Sequence, residues 1–111
     1  MRIPFLSRQP RVATLRLSGI IAARGGPAAG PALNIEHLGP MLDRAFALKR
    51  LAAVVLVINS PGGSPVQSAL IGHRIRQLAD KKKVPVIACV EDAAASGGYW
   101  LACAADEIVA D

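Results

Sequence analysis

The sequence has 111 residues, 52% of them apolar and 19% charged, with 13 Lys and Arg against 8 Asp and Glu for a formal charge of +5. That excludes a disordered polyelectrolyte, which combines low hydrophobicity with high net charge, and the length suits one domain. Aromatics are limited to Phe5, Phe46, Tyr99 and Trp100, so a core must be packed from Ala, Val, Leu and Ile.

Residues 1–10 read as a basic N-terminal arm ahead of a domain over 11–111. The arm carries Arg2 and Arg8 but no apolar run of the kind that follows the charged start of an export signal. Val12-Ala13-Thr14-Leu15-Arg16-Leu17 alternates apolar and polar and predicts a first strand, running on to Gly19-Ile20-Ile21. Residues 22–33 have the Gly/Pro density of a loop. A helix follows, with Ile35, Leu38, Leu42, Ala45 and Phe46 on one face. Asn34 caps it or it starts nearer His37, since Pro40 belongs in a first turn.

Val54 to Ile58 is continuously apolar and largely β-branched, which predicts a central parallel strand buried on both faces. The longest uninterrupted apolar run, Leu51 to Ile58, has eight residues, against about 20 for a membrane span. Ser64-Pro65-Val66-Gln67 then reads as a capping box, with Ser64 the N-cap and Pro65 the first helical residue. That helix carries Ala69, Leu70, Ile71, Ile75 and Leu78 and ends at Lys81-Lys82-Lys83, charges suited to a helix C-terminus. Val84 to Val90 predicts a strand, Gly97 to Ala104 a short helix, and Glu107 to Ala110 a last strand. Cys89 and Cys103 lie in apolar runs and read as small buried hydrophobes. The order β-α-β-α-β-α-β predicts an α/β fold, a parallel sheet flanked by helices through right-handed crossovers.

Ligands of open parallel sheets bind beyond the carboxyl ends of the strands, where two loops of small residues fall. Asn59-Ser60-Pro61-Gly62-Gly63-Ser64 sets glycine amides beside a helix start, which suits an anion or a developing oxyanion. Ala93-Ala94-Ala95-Ser96-Gly97-Gly98 sets a hydroxyl at a strand-to-helix turn, followed by the Gly97 amide. One nucleophile and two oxyanion donors from adjacent loops are acyl-transfer equipment. The basic residues are scattered without interleaved aromatics, so no nucleic-acid partner is expected.

Val57-Ile58-Asn59-Ser60-Pro61-Gly62-Gly63, with Ala94-Ala95-Ser96-Gly97-Gly98-Tyr99-Trp100-Leu101-Ala102 and Ala105-Asp106-Glu107-Ile108, resembles peptidase family S49, the signal peptide peptidase A type. The resemblance implies a Clp-protease/crotonase-like fold and a Ser-Lys dyad. On it, Ser96 is the nucleophile, Gly97 and Gly63 give the oxyanion-hole amides, and Gly62 and Gly98 contribute to substrate binding. The implied substrate is an apolar peptide of signal-peptide kind, hydrolysed through an acyl-enzyme without metal or cofactor. A homo-oligomer is expected, in the cytoplasm or at the inner face of the membrane through the basic arm.

The family's base lysine follows the serine by roughly fifty residues, beyond Asp111. Lys49, Lys81, Lys82 and Lys83 fall in solvent positions, whereas a lysine base must be desolvated. His37 and His73 read as surface residues. The domain is therefore expected to be truncated and, alone, inactive. Two alternatives share these loops: a crotonase-type acyl-CoA enzyme, whose paired amides hold a thioester oxyanion, and a non-catalytic peptide-binding or assembly domain. Tyr99 and Trp100 are expected behind the serine helix or along an apolar groove.

Overall fold

The computed structural model describes residues 9–24, 32–91 and 96–110. Most of the basic arm (1–8), residues 25–31 of the Gly/Pro-rich loop and residues 92–95 lie outside the described residues, as do the side chains of Ser96 and Gly97. Strands β1 (Arg11–Ser18), β2 (Leu51–Asn59), β3 (Val86–Val90) and β4 (Glu107–Ala110) alternate with helices α1 (Ile35–Phe46), α2 (Pro65–Lys82) and α3 (Ser96–Ala102). The strands form one parallel sheet in the order β1-β2-β3-β4. This is the predicted α/β architecture.

Because each strand is laid beside the previous one, every right-handed crossover puts its helix on the same side of the sheet. The three helices accordingly pack on one another, α1 on α2 and α2 on α3. Beneath them Leu17, Val54, Leu56, Ile58, Val86 and Ala88 are buried, together with Leu42 of α1, Ile71 and Ile75 of α2 and Leu101 of α3. Among the described residues the other face of the sheet has no such layer. Val55, Val57, Ile87 and Cys89 are only half-buried, so β2 is covered on one face, not on two. An unbroken apolar run fits a doubly covered strand, but it does not count the layers that this chain supplies.

Helix α1 starts at Ile35 with Asn34 as its cap, Asn34 Oδ1 accepting from His37 N–H at 2.9 Å, and Pro40 is tolerated inside it. The first strand stops at Ser18, where Gly19 takes φ +109°. Ile21 instead makes isolated parallel bridges to Leu33 and to Gly63. Pro85 precedes β3 and Lys83 closes α2 in the left-handed conformation (φ 59°). Cys89 is half-buried and Cys103 exposed, which corrects their reading as core residues: one faces the uncovered side of the sheet, the other follows the last turn of α3.

Candidate active site

The loops that follow β2 and β3 leave the carboxyl edge of the sheet from neighbouring strands. The backbone ladder reaches that edge, with Glu91 N–H donating to Ile58 O at 2.9 Å. Both loops then open a helix, α2 at Pro65 and α3 at Ser96. Gly63 and Ser96 thus each follow one of two neighbouring strands, β2 and β3, with residues 92–95 outside the described residues.

Gly63 is held by the strand-like bridge to Ile21. Ile21 N–H donates to Gly62 O at 2.9 Å and Ser64 N–H donates to Ile21 O at 2.7 Å. In such a pairing the middle residue turns its own N–H away from the partner strand. Gly63 is exposed, and among the described residues its N–H donates to no acceptor. A Cβ at Gly63 would lie 2.0 Å from Ile21 O, and φ there is +146°, so only glycine fits. Gly62 is buried at φ +99°, and its N–H donates to Ser60 Oγ at 3.1 Å. Ser60 is itself fully buried; its hydroxyl shapes the turn from inside.

The predicted capping box forms only in half. Ser64 Oγ accepts from Gln67 N–H at 3.1 Å, but the Ser64 N–H is spent on Ile21. Gln67 Oε1 therefore reaches away and accepts from Ile35 N–H, the first residue of α1, at 2.9 Å. Asn34 adds donors to Ala22 O and Ala23 O at 3.2 and 3.3 Å. These bonds lock the starts of α1 and α2 and the Ile21 segment into one unit behind Gly63. Sequence reasoning missed this role of Gln67, because its partner lies far away along the chain and no local motif encodes it. Asn59 Oδ1, at the end of β2, is buried without a hydrogen-bond partner.

Ser96 is the first residue of α3. Gly98 is buried, while Tyr99 and Trp100 are exposed; they do not pack behind the helix. Trp100 instead lines an open groove of about 310 Å³ between α2 and α3, with Gly72, His73 and Arg76. Behind α3, Asp106 fastens the sheet to α2: Asp106 Oδ2 accepts from Val86 N–H at 2.8 Å and Oδ1 from Arg76 at 3.2 Å. The Val86 N–H first, and then Arg76, hold the Asp106 carboxyl below its ordinary value, against the opposing effect of burial. Arg76 also pairs with Asp80 at 2.6 Å.

Lys49, Lys81, Lys82 and Lys83 are all exposed. They sit where α2 ends and where β2 and β3 begin, the opposite end of the sheet from Ser96, a strand length of roughly 27 Å away. Histidines His37 and His73 are exposed as well. Among the described residues no group of three His, Cys, Asp or Glu converges as a metal site.

The model of peptidase family S49 matches residues 78–111. The chain is 39% identical over 103 residues to the chloroplastic serine protease SPPA of Arabidopsis thaliana, covering 91% of this chain and 15% of that protein. It is 42% identical over 76 residues to Protease 4 of Haemophilus influenzae, covering 68% of this chain and 12% of that protein. It is also 47% identical over 107 residues to the Na(+)/H(+) antiporter NhaA of Brucella melitensis, covering 96% of this chain and 14% of that protein. Among the described residues no helix is long and apolar enough to cross a membrane; the stretch shared with the antiporter has no described spanning helix. Fold, loops and relatives together define a peptidase-type α/β domain. Residues 78–111 carry the match to peptidase family S49, and the chain spans only 14–15% of the length of the first relatives.

Proposed function

We propose that this chain is the nucleophile-bearing part of a serine endopeptidase domain that cleaves apolar, signal-peptide-like segments through an acyl-enzyme on Ser96. The Gly63 and Gly97 amides stabilise the tetrahedral oxyanion, and Gly62 and Gly98 keep the cleft walls free of side chains. The observation that carries this reading is the N–H of exposed Gly63, which donates to nothing among the described residues while the backbone around it is pinned. A donor held ready and unspent is what an oxyanion hole requires, since preorganisation avoids reorientation during the reaction. Exposed Val66, Tyr99 and Trp100 flank the two loops and favour an apolar substrate. The general base is a lysine supplied from outside these 111 residues, because each of the four in the chain is solvated and remote.

The test is hydrolysis of an apolar fluorogenic peptide by a longer chain that includes a downstream lysine, with Ser96→Ala as the variant. Loss of several powers of ten in turnover at unchanged thermal stability supports the assignment. Equal activity in the variant refutes it.

A further inference from the structure

Three polar side chains are buried among the described residues: Asn34, Ser60 and Ser68. Two of them serve helix starts. Asn34 caps α1, and Ser68 Oγ donates at 2.9 Å to the carbonyl of Ser64, the cap of α2. Ser60 belongs to neither kind of element, since it lies between the last residue of β2 and the Ser64 cap. It is fully buried, and the one hydrogen bond it makes among the described residues is accepted from Gly62 N–H at 3.1 Å. Burial of a hydroxyl is costly unless it is bonded, and here the bond goes to a turn.

Gly62 is the rotor of that turn. It has φ +99° and no side chain, so its torsions are held chiefly by the hydrogen bonds of the peptide groups on its two sides. On one side Gly62 N–H is fixed by Ser60 Oγ, and on the other Gly62 O is fixed by Ile21 N–H at 2.9 Å. Gly62 O and Gly63 N–H belong to one trans peptide group and point opposite ways. The direction of the Gly63 N–H therefore follows the torsions at Gly62. We infer that Ser60 is a positioning residue for the reaction: its buried hydroxyl holds Gly62, and through Gly62 it aims the Gly63 N–H at the oxyanion. This rests on the role proposed above for Gly63. Without the hydroxyl, the N–H of buried Gly62 has no acceptor in the turn, a costly state that rotation at Gly62 relieves. That rotation carries the Gly63 N–H with it, and a misplacement of about 1 Å near the reacting atoms can cost about 10²-fold in rate.

The test crosses Ser60→Ala with an ester in place of the Gly63 amide, in the longer chain that includes a downstream lysine. Turnover of the apolar fluorogenic peptide is measured well below each variant's thermal midpoint. Ser60→Ala is expected to lower kcat about ten- to a hundredfold at little-changed KM. In the ester chain no Gly63 N–H is left to aim, so the same substitution should lower kcat less than about threefold further. Ser60→Cys keeps the site filled but accepts only weakly, and its kcat should fall in the same pattern. Ser68→Ala removes a comparably buried hydroxyl outside the turn and should leave kcat unchanged. An unaltered kcat in Ser60→Ala overturns the inference, and so does a loss confined to KM. An equal loss with and without the ester, or an equal loss in Ser68→Ala, also overturns it, because Ser60 then does not act through Gly63. A costly ester with a harmless Ser60→Ala strikes this inference alone, whereas an ester without effect strikes the reading of Gly63 and this inference with it.

Discussion

At Gly63 two demands meet on one residue. Its amide is offered outward, and the space a side chain would occupy is taken by Ile21 O. A side-chain substitution therefore cannot test the amide: Gly63→Ala is expected to lower the denaturation midpoint markedly, by about 1–3 kcal/mol or more, through strain at positive φ and the clash. Replacing the Gly63 amide by an ester removes the N–H and adds no side chain. In an active longer chain this change should cost about 10²–10³ in kcat with little change in stability, the size seen when one oxyanion donor is removed. Gln67 tests the scaffold behind it. Gln67→Ala leaves the Ile35 N–H without its partner and should cost about 0.5–2 kcal/mol in urea unfolding. Gln67→Glu keeps an acceptor near the starts of both helices and should restore most of that loss.

Among the elements, α2 and β3 are joined through Asp106. Its carboxyl lies below the ordinary value in the folded state, so its contribution is complete above that ordinary value and disappears as pH falls through the depressed one. The stability difference between the wild-type chain and Asp106→Asn should thus be present at pH 7 and close below about pH 4. Urea midpoints at a series of pH values measure it; a constant difference would mean that the ionised form is not what α2 and β3 use. Most elements were legible from the sequence because their signals are local. Ser64-Pro65 marks the start of α2, Asn34 that of α1, and β-branched runs mark β2 and β3. What depended on distant partners was not legible. Gln67 reads as the closing half of a box around Ser64 until Ile21 is seen to occupy the Ser64 N–H. Val55 and Val57 read as core until the winding puts every helix on one side. Of the site, the turn at Gly62 and Gly63 could be read from small residues after an apolar run, whereas the pinning of Gly63 by Ile21 could not.

For the molecule as a whole, the two ends of the sheet differ in kind. The Gly63 turn lies at the carboxyl edge, and all four lysines are exposed at the other. Residues 1–111 alone should show no turnover of an apolar fluorogenic peptide, because an unactivated serine hydroxyl is a weak nucleophile at neutral pH. Turnover that is abolished by Ser96→Ala would reveal a base among these residues.

The same winding that puts the three helices on one side of the sheet also sets the order in which the chain can fold. Each strand pairs only with the one before it, across intervals of about forty, thirty and then twenty residues, so that every closure spans less chain than the last. No gap is left between strands for a later one to enter. The domain can accordingly grow from its N-terminal end as the chain leaves the ribosome, each new strand finding a finished edge waiting for it.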